Sequence, residues 1–234
     1  MNNLEPVASQ GSVLLSIMIP VFNGGKCLDS LLSQFARNLP LLTPAGRRKI
    51  EIRVIDNAST DQTAEVARSY ASQLPELNVH SETEHVPTAE QNFFRSFKKC
   101  AGVYTWVLGV DDFPVFDNLL KVLQALELET LDFALFNTAV FDHRLTFSSL
   151  NVTELDQERI DRDIVDLACE LGIWFVMAGV SAQILKTKLV ENYDLERLIK
   201  RTSPIYSHVT AYLETFRGRS SAIFNFPLVH TASP

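Results

Sequence analysis

The sequence has few cysteines, and their spacing suggests no shared role. Cys27, Cys100 and Cys169 are odd in number and lie far apart in the chain. A disulfide framework needs pairs, and zinc sites bring their cysteines close together in sequence. We therefore expect three buried free thiols and no zinc site.

Long hydrophobic runs are also missing. The N-terminal segment MNNLEPVASQGS has no basic stretch typical of a signal peptide, and the apolar run at residues 13–22 is too short to span a bilayer and contains Pro20. We expect a cytoplasmic chain, and any membrane association would be peripheral, through a surface patch or a partner at the cytoplasmic face of the inner membrane.

Basic residues are fewer than acidic ones. The chain has 28 acidic and 21 basic residues, for a net charge of −7, which argues against nucleic acid as a partner but leaves room for a local pocket holding one or two phosphates. No Gly-rich, lysine-bearing phosphate loop follows the first predicted strand, which argues against a nucleotidyltransferase. With 46% hydrophobic residues, the chain has enough apolar side chains for a substantial core.

Two hydrophobic periods alternate through the first half. Residues 14–20 predict a strand, and Leu28 to Leu39 predict a helix with one apolar face. Ser59-x-x-Gln62 and Thr88-x-x-Gln91 both have the pattern of a capping box that opens a helix. The pattern predicts further strands at 50–56, 78–82, 104–109 and 133–140, and a helix at 116–127.

The second half is less regular. Residues 141–160 are polar and predict a long connection, followed by a helix at 164–171, a strand at 180–185, a helix at 207–215 and a strand at 220–226. Strands alternating with helices predict an α/β fold with a doubly wound, mostly parallel sheet. We expect a single domain over residues 1–234, with a Rossmann-like nucleotide-binding half at about 13–140 and an acceptor-side half at about 141–234.

Three polar motifs fall at the ends of predicted strands: Pro20-Val21-Phe22-Asn23, residues 56–61 and Asp111-Asp112. Ligands of such sheets bind at the carboxyl ends of the strands, so the three motifs should meet in one crevice. Asp111 and Asp112 could share a divalent cation with a substrate diphosphate, or form an exposed acidic turn ahead of Pro114.

The first two motifs also allow more than one interpretation. Asp56 ends its strand, where a carboxylate can accept a hydrogen bond from a base N–H, and it precedes the predicted cap. Ser59 and Asp61 could contact a ligand or only cap the next helix. The segment from Pro20 to Asn23 could offer its backbone to a flat base, or be an ordinary strand-to-helix loop.

Taken in order, these motifs resemble those of the family 2 glycosyltransferases with the GT-A fold. The resemblance is carried by IPVFN at 19–23, VIDNASTD at 54–61, and the stretch from Asn92 through GVY at 102–104 to GVDD at 109–112. It covers residues 13–130 and is closest to bacterial O-antigen and capsule transferases of the abequosyltransferase-like type.

The resemblance implies roles for particular residues. The segment Pro20-Val21-Phe22-Asn23 would line the nucleotide base, Asp56 would read the base, and Asn92 would belong to the donor site. Asp111 and Asp112 would bind the diphosphate through Mn²⁺ or Mg²⁺. Two positions depart from the pattern: Gly109 stands where an aspartate is common, and residues 84–87 replace a Gly-rich segment, so the choice of donor is expected to differ.

The catalytic base is the least defined part of the predicted site. Inverting relatives use an acidic pair in the C-terminal half, but the corresponding stretch here, residues 204–208, has none. His208 is the candidate base, because an imidazole titrates near neutral pH; it could equally be structural. Glu214 is a weaker candidate, and Arg217 and Arg219 could reach a diphosphate or form a solvated turn.

The sequence therefore predicts a metal-assisted, inverting glycosyltransferase, with Asp112 and His208 as catalytic residues. It would move a sugar from a nucleotide-sugar donor to a hydroxyl of a growing surface polysaccharide or lipid-linked oligosaccharide. The alternative is a catalytically inactive GT-A-like domain that binds nucleotide or glycan within an assembly complex.

Overall fold

The computed structural model describes residues 13–128, 130–141, 147–151, 158–177, 179–201 and 206–232. Through residue 141 the strands and helices alternate largely as predicted. In chain order they are β1 (Leu15–Val21), α1 (Gly25–Asn38), α2 (Pro44–Arg47), β2 (Ile50–Asp56), α3 (Thr63–Ser69), β3 (Leu77–Ser81), α4 (Ala89–Ser96), β4 (Tyr104–Val107), β5 (Phe113–Pro114), α5 (Phe116–Leu126) and β6 (Phe133–Phe141).

The second half has shorter elements. They are β7 (Phe147–Asn151), β8 (Arg159–Asp161), α6 (Ile164–Leu171), α7 (Ile173–Met177), β9 (Gln183–Lys186), α8 (Thr187–Val190), α9 (Leu195–Ile199), α10 (Ser207–Phe216) and β10 (Ser221–Ala232). The predicted polar connection at 141–160 is therefore wrong in part, because it contains β7, which pairs with β6, and most of β8, which pairs with β10.

One sheet connects the two halves, in the order β3-β2-β1-β4-β9-β6-β10-β5. The four strands from β3 to β4 are parallel, as predicted for the nucleotide-binding half. Beyond β4 the sheet is mixed, since β9 is antiparallel to both of its neighbours, β4 and β6.

The core lies on both faces of this sheet. Successive side chains of a strand point to opposite faces: Ile17 and Ile19 of β1 belong to one buried cluster and Met18 to the other. The first cluster is covered by α1 and α5, and the second by α4, α6 and α10. Phe93 and Phe94 of α4, and Phe97 directly after it, are buried in the second cluster.

Two local predictions need correction. Thr88 caps α4 by accepting a hydrogen bond from the Gln91 N–H at 3.1 Å, as predicted, but α3 begins at Thr63 and Ser59 does not cap it. The three cysteines are free, but Cys27 and Cys169 are exposed and Cys100 is only partly buried, so the prediction of three buried thiols is wrong. Across the described ranges, no helix combines the length and the apolar character needed to cross a membrane.

Candidate functional site

A cavity of about 440 Å³ lies beside the carboxyl ends of β1 and β4 and the amino end of α4. It brings together residues from all three predicted motifs and from the C-terminal half. Six predicted site residues line it: Pro20, Val21, Phe22, Asn92, Asp111 and His208. Asn23, Asp56 and Asp112 do not line it, although each is next in sequence to a residue that does.

The loops after β1 and β2 are bonded to each other. The Asn23 N–H donates to Ser59 Oγ at 2.8 Å, and the Thr60 N–H donates to Asn23 Oδ1 at 2.8 Å. Asn23 adopts a left-handed backbone with φ 49°, a conformation that asparagine tolerates better than most residues. Asn23 and Ser59 therefore join the two loops, and this long-range bond is why Ser59 is not a helix cap.

Asp56 is only 2% exposed and ends β2 in a tight turn. Its Oδ1 accepts the Ser59 N–H at 3.0 Å, and the next residue, Asn57, donates its N–H to the Val21 carbonyl at 2.8 Å. Asp56 was expected to have no capping role, but its Oδ1 accepts a backbone N–H of the turn that follows β2. Asp56 thus supports the floor beneath Phe22 and Asn57, which face the cavity.

Residues 85–87, within the segment expected to alter the choice of donor, form the opposite wall. The Asn57 side chain pairs with the backbone of Val86, donating to its carbonyl and accepting from its N–H, both at 2.9 Å. Arg95 adds a bond to Asn57 Oδ1 at 2.7 Å. The His85 ring lies against Phe22, with ring centroids 4.1 Å apart and planes tilted by 37°. Phe22 is 46% exposed, so a flat aromatic surface faces solvent at the mouth of the cavity.

Asp111 and Asp112 converge over Gly109. A Cβ added to Gly109 would lie 2.7 Å from Asp112 Oδ2 and 3.2 Å from Asp111 Oδ1. Ser181 fixes this turn, because its Oγ accepts the Gly109 N–H at 2.9 Å and donates to Asp112 Oδ2. The missing side chain at position 109 is therefore what allows the two carboxylates to approach each other.

The approach of these carboxylates has an electrostatic cost. Burial raises the pKa of Asp112 to about 6; the hydrogen bond from Ser181 opposes this rise and the negative charge of Asp111 adds to it. A cation between the two carboxylates would relieve both the burial and the repulsion.

The donor set fits a hard divalent cation. Mg²⁺ and Mn²⁺ prefer oxygen ligands, and Mg²⁺ commonly takes one or two carboxylates and leaves its other positions to water and substrate phosphate. Within the described ranges, no cluster of three or more histidine, cysteine, aspartate or glutamate side chains could hold a metal. Asp111 and Asp112 would thus supply the protein ligands, and a diphosphate would complete the set.

His208 is brought to the cavity by the first turn of α10. The residue is 3% exposed, and burial lowers the pKa of His208 while the nearby carboxylate of Glu90 acts in the opposite direction. The other C-terminal candidates lie elsewhere: Glu214 accepts a hydrogen bond from the Tyr193 hydroxyl, and neither Arg217 nor Arg219 lines the cavity.

Comparison with known proteins agrees with this fold. Residues 16–187 match the model of the family described as glycosyl transferase family 2. The match extends over more than half of the chain, so the protein belongs to this family, and the predicted family is confirmed.

Two curated relatives are similar in sequence. Abequosyltransferase RfbV of Salmonella typhimurium (strain LT2) is 25% identical over 213 residues, which are 87% of this chain and 61% of that protein. The uncharacterized glycosyltransferase YibD of Escherichia coli (strain K12) is 28% identical over 119 residues, 49% of this chain and 30% of that protein. The chain thus spans less than two thirds of either relative.

Solved structures with a similar fold confirm the GT-A fold. S. aureus TarS 1–349 has a TM-score of 0.71 at 18% identity, covering 94% of this chain and 61% of the other. The same TarS fragment in complex with UDP-GlcNAc scores 0.64, with 94% and 59% coverage. Mannosyltransferase PcManGT from Pyrobaculum calidifontis, in complex with GDP-Man and Mn²⁺, scores 0.55 at 18% identity, with 94% and 56% coverage.

Proposed function

We propose that this protein transfers a sugar from a nucleotide-sugar donor to a hydroxyl group of a glycan acceptor. One observation carries the proposal: a single cavity brings together an exposed aromatic surface at Phe22, a carboxylate at Asp111 and an imidazole at His208. Phe22 suits the nucleobase of the donor, Asp111 suits its diphosphate with a cation, and His208 suits the acceptor hydroxyl.

The donor nucleotide would bind at the β1 side of the cavity. Phe22 and His85 present aromatic surface on which a base can stack. The segment from Pro20 to Asn23 would line that base, Asn92 would lie in the wall, and Asp56, next to the cavity-lining Asn57, would read the base. The complexes of TarS with UDP-GlcNAc and of PcManGT with GDP-Man support a nucleotide-sugar donor for this chain.

The diphosphate would lie at Asp111 and Asp112. A Mg²⁺ or Mn²⁺ ion bound there would supply positive charge to stabilise the departing nucleoside diphosphate. Ser181 holds Asp112 in place for this purpose, and the Mn²⁺ in the PcManGT complex supports a divalent metal in a related fold.

The acceptor would approach from the side of α10. His208 lies on the face of the cavity contributed by the C-terminal half and would receive the proton of the acceptor hydroxyl through a neighbouring carboxylate. If the base and the leaving group act on opposite faces of the sugar, the reaction inverts the anomeric centre. The similarity to abequosyltransferase RfbV supports a surface polysaccharide or lipid-linked oligosaccharide as the acceptor, which would place the enzyme at the cytoplasmic face of a membrane.

A calorimetric titration tests the donor and metal sites together. UDP, GDP, CDP and TDP would be titrated with and without Mn²⁺ into the wild type, Asp111→Asn and the control Asp117→Asn, an exposed acidic residue in the first turn of α5. We expect one nucleotide to bind tightly only with Mn²⁺, and Asp111→Asn alone to abolish this dependence. No binding under any condition would refute the proposal.

Gly109 favours a second candidate function. The position lacks the carboxylate common in relatives, so a nucleotide- or glycan-binding partner without turnover fits the same cavity. Release of free nucleoside diphosphate from a panel of nucleotide sugars with Mn²⁺ distinguishes the two, because a binding protein produces none.

A further inference from the structure

The environment of His208 fixes which of its ring nitrogens can accept a proton. Nε2 lies 3.1 Å from the Met177 carbonyl oxygen. A carbonyl only accepts, so Nε2 carries the hydrogen and Nδ1 of the neutral ring keeps its lone pair. Phe93 and Tyr212 pack edge-on against the imidazole, with centroids 5.6 and 5.8 Å away, and hold the ring in place.

That lone pair is buried and unused. Within the described part of the chain, Nδ1 of His208 has no hydrogen-bond partner and essentially no accessible surface. Leaving a buried polar atom unpaired costs roughly 1–3 kcal/mol, so the arrangement calls for a reason. An acceptor hydroxyl also cannot reach Nδ1 directly in this conformation.

Glu90 lies beside this nitrogen and lines the same cavity. Its Oε1 is 3.8 Å from His208 Nδ1 and accepts the Tyr206 N–H at 2.7 Å. The side chain is 12% exposed and lines the cavity. Glu90 lies in the first turn of α4, where the helix dipole favours a negative charge.

We propose that Glu90 takes the proton from the acceptor hydroxyl and passes it to Nδ1 of His208. The proposal rests on the transferase function proposed above. As the acceptor oxygen forms its bond to the anomeric carbon, the bond from that carbon to the diphosphate oxygen breaks, and the nucleoside diphosphate leaves with the electron pair. The proton moves to Glu90 and then to His208, where an imidazolium is held between the Met177 carbonyl and the Glu90 carboxylate.

The pairing of Glu90 with His208 also explains why residues 204–208 need no acidic pair. The carboxylate is supplied by α4, from a position well before His208 in the chain, and α10 supplies only the imidazole. Glu90 is thus a catalytic residue that contacts the acceptor, and His208 acts through it.

Transfer kinetics test the relay. Glu90→Gln keeps an oxygen for the Tyr206 N–H, so the fold should survive; the control is Glu65→Gln, an exposed acid in the first turn of α3. With a panel of nucleotide sugars and p-nitrophenyl glycosides, we expect Glu90→Gln to lower kcat about 100-fold with nucleotide affinity unchanged, and Glu90→Asp to recover part of the loss. If Glu90 and His208 act in one relay, the double variant Glu90→Gln/His208→Gln should be no slower than the slower of the two single variants. A kcat of Glu90→Gln within threefold of wild type would overturn the proposal.

A measurement without substrate separates the relay from the transferase function. NMR titration of the His208 imidazole in the wild type and in Glu90→Gln reports its coupling to Glu90. The other titratable groups around the cavity, the phenols of Tyr206 and Tyr212 and the carboxylate of Asp111, are present in both proteins. We expect the pKa of His208 to fall further in Glu90→Gln, because the nearby negative charge is lost. An unchanged pKa would overturn the relay, whatever the outcome of the nucleotide titration.

Discussion

At the scale of single residues, the site depends on Gly109, which has no side chain. Gly109 leaves the space in which oxygens of Asp111 and Asp112 converge, and Ser181 holds one of them there. In the family pattern that the sequence resembles, an aspartate often occupies this position, so the two remaining carboxylates would carry the cation alone.

Gly109→Ala tests this interpretation. The new methyl group would lie 2.7 Å from Asp112 Oδ2 and must displace that carboxylate. We expect Mn²⁺-dependent nucleotide binding to weaken about tenfold, which corresponds to about 1.4 kcal/mol, as measured by calorimetric titration. Gly179→Ala is the control, because a Cβ there meets no atom of the described residues within 4 Å. Equal affinities for the two variants would contradict the expected displacement.

At the scale of elements, two similar sequence patterns gave different structures. Thr88 and Ser59 are each followed three residues later by a glutamine, as in a capping box. Of these two residues, Thr88 caps a helix and Ser59 does not. The Ser59 hydroxyl is occupied by the backbone of Asn23, a contact between loops that local sequence cannot predict. The cap at Thr88 matters for function because α4 carries both Asn92 and Glu90 into the cavity.

Removing this cap should destabilise the protein measurably. Thr88→Ala deletes the oxygen that accepts the Gln91 N–H, and losing such a cap costs about 1 kcal/mol of unfolding free energy. Thr88→Ser keeps the hydroxyl and should restore most of the loss. Urea denaturation of the three proteins gives the comparison, and a Thr88→Ala midpoint equal to that of wild type would show that the cap contributes nothing.

Much of the first half could be predicted from sequence because its signals are local. β2 is bounded as predicted at 50–56, since β-branched apolar residues alternate with Glu51 and Arg53 along it, which is a local strand signal. β7 and β8 were missed because their short sequences show no clear period, and their pairing to β6 and β10 decides their structure. Glu90 was missed since an acid in a first helical turn is common, and only the fold brings it to His208.

At the scale of the whole molecule, one buried histidine and one partly buried histidine make stability depend on pH. Burial lowers the pKa of His208 and of His230 below their usual value of 6.5. The unfolded chain then binds protons more tightly than the folded one, so this contribution to stability is complete above pH 6.5 and is lost as the pH falls from 6.5 through the lower folded-state pKa values.

Urea unfolding between pH 5 and pH 7.5 measures this dependence. We expect the wild type to lose stability toward pH 5, and His208→Gln to lose less, because a glutamine does not titrate. Around His208 the charged neighbour is Glu90, which reduces the effect without reversing its direction. Identical pH slopes for the two proteins would contradict the role assigned to His208.

The position of β9 has a consequence for how the protein is made. β4 is synthesised early, but its second neighbour in the sheet, β9, comes from the late part of the chain, after β6 and α6. On the ribosome, β4 therefore waits with one edge of backbone hydrogen-bonding groups unpaired until residues 183–186 emerge. An open edge of this kind invites pairing with other chains, so we expect nascent chains to be most prone to aggregation during this interval.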